Sequence, residues 1–409
     1  MDDYFKLANE LRKANQLFSA VAYYRKSISI NPNNASVHNE LGNTLLELGH
    51  MKSAVVSYKD AITINPRSSI LYSNLGIALQ GLKQLDDAID AYDNAIMLDS
   101  NDAESYWNKS IALLLKGDFQ QGLPLLEWRW QNRKLGNTIF PSSRPLWLGR
   151  EEIVDKTILL RSEQGLGDTI QFCRYAIKVK ELGATVILQV QDPLVELLKN
   201  IEGVDQIISS SQFPKYDFHC PLLSLPLAFN TTLESIPNSS PYIQIENSKI
   251  QVWKDRLGTQ TKKRIGLAWS GSSIHINDKN RSISLAELVS YLPDNFEYVC
   301  LQKEIKPEEV DILINSRVKY FNQEIKDFTD TGALCELMDT VISVDTSVAH
   351  LSGALAKPTW VLLPYVPDWR WLLNSNTNPW YPSIKLFRQE EIHNWDIPLE
   401  TIKNNLLLI

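Results

Sequence analysis

Apolar positions in the first quarter of the chain recur with helical spacing, and a longer period is laid over them. Leu41-Gly42 returns as Leu75-Gly76, 34 residues on. Ala20, Ala54 and Ala88 share that step, as do Tyr24, Tyr58 and Tyr92, and Pro32 and Pro66. The segments ISINP, ITINP and IMLDS close successive units. This pattern predicts stacked helical hairpins. Small residues sit where two helices cross closely, tyrosines fill the space beside them, and proline stops the second helix. Three units are read at 1–34, 35–68 and 69–102. A degenerate fourth, with Ser110 and Gly122 at the small positions, ends in LLEWRWQ and caps the array.

After FPSSRPLWLG (140–149) the pattern changes to short apolar runs alternating with helical ones. KTILLR, TVILQVQ and VDQIIS read as strands, with TIQFCRYAIKVKELGA (169–184) and PLVELLKNIEG as helices between them. A second series starts at RIGLAWSG (264–271). It continues through SLAELVSYL, EYVCLQ, PEEVDILINS, DTGALCELM, TVISVD, SVAHLSGALA and PTWVLLP. Such alternation implies parallel sheets with right-handed crossovers. The division expected is 1–134 for the repeats, 135–258 for a first α/β half and 259–409 for a second. Ligands of such sheets bind at the carboxyl ends of the strands.

Net charge is −7 over 409 residues, which argues against a nucleic-acid binder relying on phosphate neutralisation. No run approaches the length of a membrane span, and the N-terminus lacks the apolar core of a signal peptide. The four cysteines are scattered, as reduced thiols in a cytoplasm would be.

The candidate chemistry falls at strand ends. In EQGLGDTIQFCRY, Gly165 and Gly167 allow a tight turn and close approach of a ligand. Asp168 then stands at a helix start, either as a general base or as a helix cap. The third glycine of GxGxxG is missing and the next strand ends in Gln189 and Gln191, against a dinucleotide site. In VISVDTSVAHLSGAL, Asp345 ends a strand and Thr346 and Ser347 open a helix suited to a diphosphate. His350 lies on the same face of its first turn, as a donor or as a half-buried packing group. The loop GSSIHINDKNRS, with Gly271, Ser272 and Arg281 and preceded by Ser270, is rich in ligand groups, and Arg281 either neutralises a leaving group or lies on the surface. Gln302 and Phe328 occupy two further strand-to-helix junctions, Phe328 against a base or in the core. Gln164, Gln171, Arg174 and His219 are assigned with Gly165 and Gly167 to the acceptor side or cleft. Trp369 and Arg370 join them, from a segment also holding Trp371, Trp380, Tyr381 and Arg388 that suits sugars or simply packs loops. No D-x-D pair is present, so no metal or other cofactor is expected.

The 34-residue units resemble the tetratricopeptide repeat. EWRW, EQGLGDTIQFCRY, PLLSLP, RSISL, VDTSVAHLSGAL, DWRWL and PWYP…LFRQ together resemble bacterial tetratricopeptide-repeat glycosyltransferases. The catalytic part is similar to ADP-heptose:lipopolysaccharide heptosyltransferases and, more distantly, to O-linked N-acetylglucosamine transferases. The resemblance implies an α-solenoid followed by a GT-B fold of two Rossmann-like α/β domains, and a metal-independent inverting sugar transfer. It implies that Asp168 is the base and that Asp345, Thr346 and His350 hold the donor's nucleotide and phosphates. Arg281 falls on or near the family's phosphate-binding lysine. Ser347 replaces a glycine, and Arg174 stands where heptosyltransferases have proline. The expected partners are a nucleotide-sugar donor and a protein or peptide acceptor brought by the repeats, with a homodimer contact as the array's other use. A non-catalytic repeat scaffold and a nucleotide-sugar 2-epimerase-like enzyme are the alternatives. Sugar, base and acceptor are left open.

Overall fold

The computed structural model describes residues 3–132, 144–212, 214–272 and 277–409. The chain divides into two compact units, Met1–Phe140 and Pro141–Ile409. The boundary read at 134/135, part of the 140–149 linker and residues 273–276 of the ligand-rich loop lie outside the described residues.

Among its described residues the first unit holds eight α-helices, α1 (Asp3–Lys13), α2 (Leu17–Ile30), α3 (Ala35–Glu47), α4 (Met51–Ile64), α5 (Ser69–Gly81), α6 (Leu85–Leu98), α7 (Ala103–Lys116) and α8 (Phe119–Leu126), and a short 3-10 turn at Glu127–Trp130. They pack as four antiparallel hairpins, each also touching the next. α2 and α4 end two residues before Pro32 and Pro66. Side chains of Asn34, Asp102 and Asp118 cap α3, α7 and α8. The repeated tyrosines are fully buried, and the repeated glycines make room for them. A Cβ on Gly42 would sit 2.6 Å from Tyr58 Cε1, and Gly76 stands in the same relation to Tyr92. In the fourth hairpin Leu126 takes the tyrosine position. Ser110 takes the glycine position, its hydroxyl donating to Gly122 O at 3.0 Å. Trp128 stacks on Tyr106 with centroids 4.0 Å apart, and Arg129 is buried against Glu127.

The second unit contains two parallel sheets. One has the order β3-β2-β1-β4, from β1 (Thr157–Arg161), β2 (Thr185–Val190), β3 (Gln206–Ser209) and β4 (Phe218–Pro221). The other runs β10-β9-β8-β5-β6-β7, from β5 (Arg264–Ala268), β6 (Glu297–Cys300), β7 (Val318–Lys319), β8 (Thr340–Val344), β9 (Thr359–Leu363) and β10 (Ile384–Arg388). β5 and β8 lie at the centre and are buried along their whole length. That is why they read as unbroken apolar runs. β4, β7 and β10 complete the sheets although FHCP, VK and IKLFR carry no clear strand pattern. The helix expected over 169–184 is instead broken into Leu166–Phe172, a tight turn at Cys173–Tyr175 and Ala176–Glu181. The break coincides with buried Arg174, whose Nε donates to Gln171 O at 2.8 Å. Among the described residues no helix is long and apolar enough to cross a membrane.

Because the small columns of the array exist to admit tyrosine rings, Gly76→Ala will lower stability by about 1–3 kcal/mol, the usual cost of overpacking. Tyr92→Leu in the same chain will recover part of that loss. Denaturant melts followed by far-UV circular dichroism check both.

Candidate functional site

The site is built where the ends of β1 and β8 feed their helices. Gly165 is the N-cap of helix Leu166–Phe172, and Asp168 is its third residue rather than its cap. Asp168 Oδ2 accepts from Gly165 N at 2.8 Å. The preceding loop is tied to the end of β2: Gln191 Nε2 donates to Gln164 O at 2.9 Å, and Thr169 Oγ1 donates to Gln191 Oε1 at 2.8 Å. Gly167 faces helix Ser347–Ala354, where a Cβ would lie 2.8 Å from His350 Cδ2. This glycine is therefore needed for the approach of one helix to another.

On the β8 side, Thr346 caps helix Ser347–Ala354. Its hydroxyl accepts from Val348 N at 3.3 Å and meets Ser343 Oγ at 3.2 Å. Ser347 is half-buried at the first helical position. Arg281 reaches across Gly271 and donates from Nη1 to Asp345 O at 2.9 Å. Asp278, buried, braces this arginine at 3.6 Å and also receives Ser282 Oγ and Lys306 Nζ. Burial, then the charge of Asp368, raises the pKa of Asp345 to about 6. His350 is buried, stacked on Trp371 with centroids 5.3 Å apart, and its Nδ1 lies 3.1 Å from Tyr381 OH. Burial, then the charge of Arg370, pushes its pKa down to about 3. It is therefore a neutral hydrogen-bonding ring, not a cation.

The two sides meet at Arg370. Its Nη1 donates to Asp368 Oδ1 at 2.8 Å, and its Nη2 donates to Asp168 Oδ1. Burial alone would weaken this guanidinium. The carboxylates of Asp368, Asp168 and Asp345 outweigh that and raise its pKa.

Other sequence-derived candidates have different surroundings from those expected. Arg174 does not face an acceptor. It donates to Gln171 O, to Pro237 O at 3.0 Å, to Trp380 O at 2.6 Å and to Tyr242 OH at 2.8 Å, between the rings of Tyr242 and Tyr381. It is a staple holding helix Leu166–Phe172 to the connecting segment at Pro237 and to the 380–381 loop. Trp369 is buried against Phe172 and Trp380 and offers no sugar platform. Gln302 is occupied by the protein itself: its Oε1 accepts from Trp269 N (2.5 Å) and Ser270 N (2.9 Å), and its Nε2 donates to Ser270 Oγ and Glu304 O. It shapes the loop that carries Ser270 instead of meeting a ligand. Gly271 N donates to Ser282 Oγ, while Ser272 is exposed. Phe328 opens helix Phe328–Glu336, half-buried. His219 is buried within β4, and burial followed by the Arg161 charge lowers its pKa to about 4. Gln171 is buried with both amide atoms unpartnered, three residues beyond Asp168.

Asp278, Asp368 and Tyr242 belong to the site and were not singled out from the sequence. Asp368 could have been suspected, since an aspartate two residues before Arg370 can cap its turn, as it does here at 3.0 Å. Tyr242 carried no such signal.

The neutral histidines make the fold sensitive to acid. Between pH 6.5 and 3 the unfolded chain takes up the proton that folded His350 refuses, so stability falls as pH falls below 6.5. His219 acts in the same direction down to about 4. Asp345 acts oppositely: its contribution is present below pH 3.8 and is lost as pH rises through 6. His350→Gln removes one of the two histidine contributions. From pH 7 to pH 5 the variant will lose about 2 kcal/mol less unfolding free energy than the parent. Urea titrations at the two pH values measure this.

Comparison with known proteins matches the repeats of the first unit to repeat families. A TPR repeat family matches residues 8–49, and a tetratricopeptide repeat family matches 35–68 and 70–102. Protein FlbA of Caulobacter vibrioides is 23% identical over 291 residues, covering 61% of this chain and 46% of FlbA. The chain thus spans about half the length of that relative. Among solved structures, MamA protein matches at 24% identity and a TM-score of 0.31, over 32% of this chain and 72% of MamA. YrrB, described as a TPR protein with an unusual peptide-binding site, matches at 24% identity and a TM-score of 0.29, over 32% of this chain and 68% of its own. The N-terminal helices are tetratricopeptide repeats, and they are followed by a region of parallel-stranded α/β structure.

Proposed function

We propose that the chain is a metal-independent inverting glycosyltransferase whose two parallel sheets are the halves of a heptosyltransferase-like GT-B fold. The observation that carries this reading is the convergence of strand-end motifs from both sheets: Gly167 lies under His350, and Asp168 is bound to Arg370. A nucleotide sugar binds mainly to the half built on β5–β10. Its diphosphate sits at the start of helix Ser347–Ala354, where main-chain N–H groups and the helix dipole favour an anion, with Arg281 beside it. Asp168 takes the proton of an acceptor hydroxyl. The oxygen attacks the anomeric carbon as the bond to the diphosphate breaks, and the diphosphate leaves with that electron pair. Each Asp168 oxygen accepts one hydrogen bond in this state, and a carboxylate oxygen has a second lone pair to offer. The repeats bring the acceptor, a protein or peptide, because each unit buries only the face toward its neighbours and leaves a continuous outer surface.

A non-catalytic scaffold is the second reading. It is favoured by the closely packed state of the site, with His350 buried and Arg370 almost fully enclosed.

A thermal-shift panel of UDP-, GDP-, ADP- and CMP-linked sugars tests the donor site. One class of nucleotide will raise the midpoint by mass action, and Arg281→Ala will abolish the shift. Asp168→Asn will end transfer while keeping that shift. Absence of any shift together with absence of donor turnover supports the scaffold. Product formed from donor alone by isomerisation supports an epimerase-like enzyme.

A further inference from the structure

Arg370 is inserted between the two sheet-bearing halves of the second unit. Its guanidinium lies over the rings of Phe172, 5.3 Å away, and Trp369, 4.7 Å away. Phe172 is one turn beyond Asp168 on the same helix, so the cation runs along the face that presents the carboxylate. At its other end it is bound by Asp368, which follows β9 and caps the turn that carries Arg370. The side chain is 8% exposed, and its Nε has no hydrogen-bond partner. Asp168 is thereby held at both oxygens: Oδ2 by its own loop, through Gly165 N, and Oδ1 by a group 202 residues away in the other half.

We propose that Arg370, held by Asp368, is the positioning residue of the reaction, orienting the Asp168 carboxylate from the donor-binding half so that the base is assembled only when the two halves are together. This rests on the reading of Asp168 as the base. A carboxylate anchored at one oxygen can still rotate about its last torsion. Anchoring the second oxygen to a planar cation, itself held against two rings, sets the plane in which the remaining lone pairs point. The Asp168–Gly165 bond is local and is present whenever the helix is. The Asp168–Arg370 bond depends on the packing of the halves, so it links donor-side structure to the acceptor-side base.

The experiment follows nucleotide release from UDP-glucose, GDP-mannose, ADP-glucose and CMP-N-acetylneuraminate, with water as acceptor, in the full chain. The variants are Arg370→Ala, Arg370→Lys, Asp368→Asn and Asp168→Asn. Arg370→Ala is expected to lower kcat about a hundredfold with little change in the KM for the nucleotide sugar, the size of effect a misplaced reacting group produces. Arg370→Lys and Asp368→Asn will show smaller losses. Guanidinium chloride, well below the unfolding range, will restore part of the Arg370→Ala turnover and none of the Asp168→Asn turnover. An inactive Asp168→Asn beside a fully active Arg370→Ala overturns the positioning role and leaves the base in place. An inactive Arg370→Ala that guanidinium does not rescue, with near-ultraviolet circular dichroism altered in both arginine variants, makes Arg370 a folding element and also overturns it. A fully active Asp168→Asn, or no release from any donor by the parent chain, removes the base reading and the inference with it.

Discussion

Two helix starts come together because Gly167 has no side chain. A methyl group there would press on the His350 ring, and the helices Leu166–Phe172 and Ser347–Ala354 would have to separate. Everything at the junction follows from that approach. It brings Asp168 within reach of Arg370, buries His350 against Trp371 and Tyr381, and leaves the start of the second helix beside Arg281. Two α/β halves could pack in many ways. This contact, with the Arg174 staple on Tyr242 and Trp380 O, selects one of them.

The electrostatics then sort the residues by role. Three carboxylates, Asp168, Asp345 and Asp368, surround Arg370, with Arg281 nearby. Burying an unpaired charge costs several kcal/mol, so such a group persists only where each member has a partner. Burial, then the charge of Asp368, raises the pKa of Asp345. His350, among arginines and away from water, is kept neutral. It can accept or donate one hydrogen bond but cannot supply a positive charge to a phosphate. In the proposed reaction that task falls to Arg281 and to the main chain of the helix start.

The repeats and the sheets differ in how their stability is encoded. In the array each repeated tyrosine hydrogen-bonds within its own hairpin, as Tyr58 does with Asn43, and Tyr58 and Tyr92 also lie against Gly42 and Gly76. Local contacts leave a period in the sequence. The second unit depends on pairs far apart in the chain, such as Trp253 with Asp330 and Trp269 with Glu309, which leave none.

For the same reason some features were legible in the residues alone and others were not. The hairpin period, the central strands β5 and β8 and the glycine-lined helix start at 165–168 each carry their cause within a few neighbouring positions. β4, β7 and β10 are short or of mixed polarity and become strands only because an adjacent strand offers its edge. Gln302, Arg174 and Trp369 look like ligand groups in the sequence. Composition cannot tell whether a polar or aromatic side chain is satisfied by a ligand or by the protein, and here the protein itself supplies the partners. The residues that could form strand ends, helix starts and an anion site were determined by the sequence. Which of them face each other was decided by tertiary structure, because the link from Asp168 through Arg370 to Asp368 spans 202 residues and exists only when two separate sheets pack together.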